Sequence, residues 1–164
     1  MYQTQDKVFA LEDLMARSTG WGVHGGKVVF TNGCFDLLHI GHIDYLEKAR
    51  KLGARLIVGL NDDDSVRRLK GNARPIIPQE ERARMLAALE FVDGVVLFSE
   101  DTPIELIKAL RPDILVKGGD YQIEEIVGYE EVMSWGGTVS TLPLVEGYSS
   151  TTLLEKLKPS STQA

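Results

Sequence analysis

The sequence predicts an α/β fold with a parallel five-stranded sheet and helices on both faces. Three observations carry this. Short apolar runs rich in β-branched residues alternate with amphipathic helical patterns along most of the chain. Such alternation means strand–helix–strand units, and therefore a parallel sheet with right-handed crossovers. Four of the runs are almost wholly apolar, as strands covered on both faces require. The 164 residues suit one domain spanning 1–164, and the 43% hydrophobic and 26% charged fractions are those of an ordinary globular protein.

In chain order, residues 10–17 read as a helix within a helical lead-in of residues 1–26. The strands follow at 27–31 (KVVFT), 55–60 (RLIVGL), 94–98 (GVVLF), 113–117 (DILVK) and 138–142 (TVSTL). The first helix between strands covers 42–52. There Tyr45, Leu46, Ala49 and Leu52 recur at three- and four-residue steps, and Gly53 marks the stop. Residues 79–89 repeat the design with Ala83, Leu86 and Leu89. Residues 102–110 open with Thr102 as cap and Pro103 at the first helical position. A last helix is expected over 150–158, followed by a flexible tail at 159–164.

Composition removes several function classes. A net charge of −6 disfavours a general nucleic-acid binder, so any phosphate site must come from a local cluster or from backbone amides. Cys34 is the one cysteine, which excludes an intrachain disulfide and four-thiolate zinc sites. No apolar run approaches the roughly 20 residues of a membrane span. The opening MYQTQDKVFALEDL lacks the basic-then-apolar order of a signal peptide, so a cytoplasmic location is expected. GWGVHG at 20–25 matches a dinucleotide-binding spacing but precedes the first predicted strand, the wrong context for that fingerprint.

The informative stretch is FTNGCFDLLHIGH, 30–42, where the first predicted strand ends and a helix begins. Ligands of open α/β sheets bind at such carboxyl ends. Gly33 allows a tight turn and close approach of the backbone. His39 and His42 stand at the helix entry, where unsatisfied amides and about half a positive charge favour a phosphate. Gly41 between them keeps the approach open. Two histidines without further ligands are too few for a typical zinc site. Lys70 and Arg74 flank Gly71-Asn72 on a predicted loop, where lysine acts as a mobile charge; Arg67, Arg68 and Arg84 read as a solvated basic face. Lys117, Gly118, Gly119 and Asp120 follow the fourth predicted strand, and Ser149 to Thr152 open the last helix as caps. Asp36 either bonds the turn internally or helps hold magnesium, and Cys34 reads as a packing residue beside the site.

GCFD followed by HIGH resembles the signature of the nucleotidyltransferase superfamily, and RLKGNARPI with DILVKGGDY resembles its heptose 1-phosphate adenylyltransferase branch. The likeness runs from about residue 11 to 157, in a form without a sugar kinase domain. It implies a Rossmann-like sheet of order 3-2-1-4-5. It also implies transfer of AMP from ATP to D-glycero-β-D-manno-heptose 1-phosphate, giving ADP-heptose and pyrophosphate, with Mg2+ accompanying ATP. On that resemblance His39, His42 and Lys70 are the catalytic candidates. The nucleotide-binding candidates are Thr31, Asn32, Gly33, Cys34, Phe35, Gly41, Arg82, Lys117, Gly118, Gly119, Asp120, Ser150, Thr151 and Thr152. A homodimer, and a separate kinase in the same pathway, are further implications. LVEGYSSTT departs from the cytidylyltransferase pattern, which has an arginine a few residues before the last helix. The alternatives are a cytidylyltransferase for a small phosphorylated alcohol and a non-catalytic nucleotide-binding module.

Overall fold

The computed structural model describes residues 3–23, 26–145, 147–150 and 153–154. Its strands are β1 (Val8–Phe9), β2 (Val28–Gly33), β3 (Arg55–Asn61), β4 (Gly94–Phe98), β5 (Ile114–Gly118) and β6 (Thr138–Leu142). Its helices are α1 (Leu11–Val23), α2 (Ile40–Arg50), α3 (Asp63–Lys70), α4 (Gln79–Ala87), α5 (Ile104–Leu110) and α6 (Tyr129–Ser134).

All pairings are parallel, in the order β1-β4-β3-β2-β5-β6. The sheet has six strands, not the expected five. The five expected ones keep the expected order, and Val8–Phe9 adds an edge strand against Val95 and Val96. The lead-in is thus not purely helical, and its helix runs on to Val23 instead of stopping at residue 17. Two helices were not expected. Asp62 caps α3 by accepting from the Ser65 amide at 2.8 Å, and α3 buries only Ser65 and Val66. Lys70 therefore ends a helix instead of sitting on a loop. In α6 the buried residue is Val132. Thr102 is not the cap of α5, whose N-cap position is Pro103, with no side-chain cap bond. Most of the expected 150–158 helix and all of the 159–164 tail lie outside the described residues.

The sheet separates two apolar layers. On one face Tyr45, Leu46 and Ala49 of α2, with Ala83 and Leu86 of α4, pack on Val29, Val58 and Leu60. On the other, Leu14 of α1, Leu106 and Ile107 of α5 and Val132 of α6 pack on Phe30, Ile57 and Val96. Each fully buried Val, Leu, Ile or Phe among these contributes roughly 1.5–3 kcal/mol relative to exposure. Tyr45 also ties three elements together. Its hydroxyl lies 2.6 Å from the Thr31 hydroxyl on β2 and donates to the Val116 carbonyl on β5 at 3.1 Å.

Candidate active site

Strand order reverses between β3-β2 and β5-β6, so the chain leaves β2 and β5 in opposite directions and a crevice opens at their carboxyl ends. Two clefts occupy it. The larger, about 520 Å³, is lined by Asn32, Gly33 and Cys34 from β2 and its turn, Asn61, Lys70, Asp101 and Thr102, and Lys117 and Tyr121. The smaller, about 190 Å³, is lined by His39, Gly41, His42, Lys70, Leu144, Tyr148, Ser149 and Ser150. Lys70 borders both.

His39 is the N-cap residue of α2 and His42 sits in its first turn. Their rings stack, with centroids 3.8 Å apart and planes at 21°. A Cβ on Gly41 would come within 3.0 Å of the His39 ring and 3.3 Å of Tyr148, so glycine lets the stack pack closely without displacing either neighbour. The Nδ1 atoms of both rings are buried without a hydrogen-bond partner. Burial, then the nearby His39 and Lys70 charges, push the His42 pKa down to about 4, against a backbone hydrogen bond at Leu37. Burial lowers His39 as well. Both imidazoles are therefore neutral near pH 7, each with one donor and one acceptor nitrogen.

Phe35 carries the turn between β2 and α2, with φ of +45°. Gly33 was expected to do so, but it ends β2, and a Cβ there would meet the Phe35 ring at 3.0 Å. The Phe35 ring is buried and lies 5.1 Å from the His42 ring. Asp36 is internal: its carboxylate accepts from the Ile76 and Ile77 amides at 2.7 and 3.0 Å and from Arg74 Nε. Burial works to raise this carboxyl, but the Ile77 amide, Arg74 and the Ile76 amide outweigh it and hold it below the usual range. With both oxygens engaged, Asp36 offers little to a magnesium ion. No group of three His, Cys, Asp or Glu side chains converges as a metal site among the described residues. The described residues do not form a protein cage for Mg2+.

Other expected contacts also fall elsewhere. Arg82 is fully buried and lines neither cleft. It donates to the carbonyls of Ile77, Cys34 and Asn61 and to Asp63, so it braces the loops instead of meeting a phosphate. The Thr31 side chain is fully buried, its hydroxyl bonded to that of Tyr45, and lines neither cleft. The Gly119 amide donates to the Leu142 carbonyl at 2.9 Å, so that amide is already engaged within the sheet. Gly118 gives room to Leu144, 2.7 Å from where its Cβ would be, and Asp120 is exposed. Lys117 is half-buried and donates to Asn32 Oδ1 at 3.2 Å; burial lowers its pKa. Burial pushes the Cys34 thiol up, despite Lys70, Arg82 and Arg74 nearby, consistent with an unreactive packing residue. Ser150 donates to the Leu37 carbonyl at 3.3 Å; Thr151 and Thr152 lie outside the described residues. Arg67 and Arg68 pair with Asp64 and Asp101 on the surface.

A model of the cytidylyltransferase-like family matches residues 30–156. The chain belongs to that family. Among curated proteins it is 57% identical over 152 residues to the bifunctional protein HldE of Koribacter versatilis, covering 93% of this chain and 31% of that protein. HldE of Magnetococcus marinus is 53% identical over 156 residues, covering 95% and 32%. The chain thus spans under a third of these relatives. Among solved structures, the lipopolysaccharide core biosynthesis protein from Thermoplasma volcanium is 31% identical, with a TM-score of 0.61, covering 76% of this chain and all of that one. A pantoate-beta-alanine ligase from Francisella tularensis, at 14% identity and a TM-score of 0.66, shares the fold over 93% of this chain and 73% of its own.

For a cytidylyltransferase-like chain, the reading from sequence missed Asn61, Asp101, Thr102, Tyr121 and Tyr148, which line the clefts from other elements. Asn61 directly follows the predicted strand RLIVGL, Tyr121 ends the string DILVKGGDY and Tyr148 lies within LVEGYSSTT; Thr102 reads only as a helix cap, and Asp101 carries no local signal. No helix among the described residues is long and apolar enough to cross a membrane.

Proposed function

We propose that this chain transfers AMP from ATP to D-glycero-β-D-manno-heptose 1-phosphate, releasing pyrophosphate and forming ADP-heptose. The observation that carries this reading is the position of Lys70, shared by two clefts that suit two anionic substrates. The triphosphate occupies the smaller cleft, against the α2 N-terminus and the histidines. The sugar phosphate occupies the larger one, among Asn32, Asn61, Lys117 and Thr102. The KGNARP and KGGDY strings and the similarity to HldE proteins support the heptose branch.

A phosphate oxygen of the sugar phosphate attacks the α-phosphorus in line. The bond from that phosphorus to the bridging oxygen breaks, and pyrophosphate leaves with the electron pair. No general base is needed, because the nucleophile is already ionised at neutral pH. Such transfers rest on positioning and charge stabilisation. His39 and His42, neutral before substrate arrives, donate to phosphate oxygens as charge moves toward the leaving group. Lys70 neutralises charge between the two substrates. Magnesium enters with the triphosphate as part of the substrate.

The test is pyrophosphate release over a panel of nucleotides and sugar 1-phosphates. ATP with heptose 1-phosphate is expected to be the best pair. Two unpaired polar groups in a misfitted base site, at about 1–3 kcal/mol each, give roughly a hundredfold or greater preference over CTP. Equal or better use of CTP overturns the adenylyl assignment, and nucleotide binding without pyrophosphate release overturns the enzyme reading.

A further inference from the structure

The turn that carries Phe35 is held from both sides by one distant segment. Before it, the Cys34 carbonyl accepts from Arg82 Nη1 at 2.5 Å. After it, Asp36 accepts from the Ile76 and Ile77 amides and from Arg74. Residues 74–82 thus grip both neighbours of a bulky residue in a left-handed backbone conformation, one that persists only where its surroundings enforce it. The enforced turn presses the Phe35 ring toward His42, with 5.1 Å between centroids. Arg82 further reaches the Asn61 carbonyl at 2.9 Å and Asp63 at 2.7 Å, which fixes the end of β3 and the start of α3, the helix that ends in Lys70.

We infer that Arg82, with the Asp36–Arg74 pair, is a positioning residue that sets the His42 imidazole and Lys70 relative to one another through the Phe35 turn. The inference rests on the reading of His42 and Lys70 as phosphate-handling groups. Arg82 itself touches no substrate: it is wholly buried, and its donors engage three carbonyls and one carboxylate. The planar fork matters because it meets several acceptors at fixed angles, which a lysine ammonium does not reproduce.

Three variants of the full chain test this. Arg82→Lys keeps the charge and loses the fork. Asp36→Asn keeps an acceptor for the two amides and breaks the ion pair. Phe35→Leu keeps an apolar side chain and removes the flat ring. In each, kcat should fall by about tenfold to a hundredfold, with the KM for ATP within about twofold, because displacement of reacting groups by about 1 Å acts on the transition state. The second readout is the 15N NMR signal of the His42 ring, which should move and titrate at a higher pH than in the wild type. An unchanged kcat in folded Phe35→Leu and Asp36→Asn overturns the inference. So does a lowered kcat with an unmoved His42 signal. If Arg82→Lys loses its cooperative thermal transition, the other two variants decide. Full turnover in His42→Ala would remove His42 from the chemistry, while the ring signal in the three variants would still report whether the turn positions it.

Discussion

At the scale of single residues, the candidate site presents two stacked imidazoles that burial keeps neutral near pH 7. Removing a preorganised donor aimed at developing charge costs on the order of 10²–10³ in turnover. His39→Ala and His42→Ala are each expected to lose that much while keeping the thermal transition of the wild type. Near-normal pyrophosphate release in both would exclude them from the mechanism. The pH dependence of stability has a defined sign. The folded His42 resists protonation, with a pKa of about 4 against an ordinary 6.5, so the unfolded chain takes up the proton first as pH falls. This contribution is fully present above about pH 6.5 and is lost between there and about pH 4. His42→Asn should therefore flatten the fall of the urea midpoint over that window, and an unaltered slope would show that His42 titrates normally.

At the scale of elements, α3 and α4 connect the two clefts to the β2–α2 turn. Lys70 closes α3 and is exposed, so its attraction for phosphate is open to screening by salt. Lys70→Ala should raise KM for both substrates at low salt and make KM less sensitive to added salt. Identical salt curves for variant and wild type would reduce Lys70 to a surface residue. These elements also show what a sequence can and cannot announce. Four of the predicted strands are apolar runs because the sheet buries them on both faces, and α2 declares itself through Tyr45, Leu46 and Ala49. α3 announces itself only by its Asp62 cap: DDSVRRLK buries only Ser65 and Val66, and Leu69, three residues after Val66, is left exposed. β1 is two residues long, too short for any alternation.

At the scale of the whole molecule, what was legible is local and what was hidden is not. The histidine pair, Gly41 and Lys70 sit within or near strings whose residue types suggest phosphate chemistry on their own. Arg82 looks equally like a phosphate ligand in sequence, but its partners Asn61 and Cys34 are 21 and 48 residues away, and only the assembled fold brings them to its guanidinium. The left-handed turn at Phe35 was hidden for the opposite reason: Gly33, two residues earlier, is the residue type such a turn ordinarily takes.

The pairing of β2 with β5 has a mechanical consequence. That ladder runs through Val29↔Ile114 and Phe30↔Leu115, whereas on its other side β2 pairs with β3 all the way from Val28↔Arg55 to Gly33↔Leu60. The sheet is therefore zipped at one end of this seam and splayed at the other, like a wedge. Across the splayed end Lys117 reaches Asn32, and both line the larger cleft. A substrate lodged there acts as a rivet between two sub-sheets that share little backbone of their own. Hydrogen exchange should therefore slow at residues 31–33 and 116–118 when both substrates are bound, with the edge pair β1–β4 unchanged. Uniform slowing across the sheet, or none at the seam, would show that the wedge is already rigid.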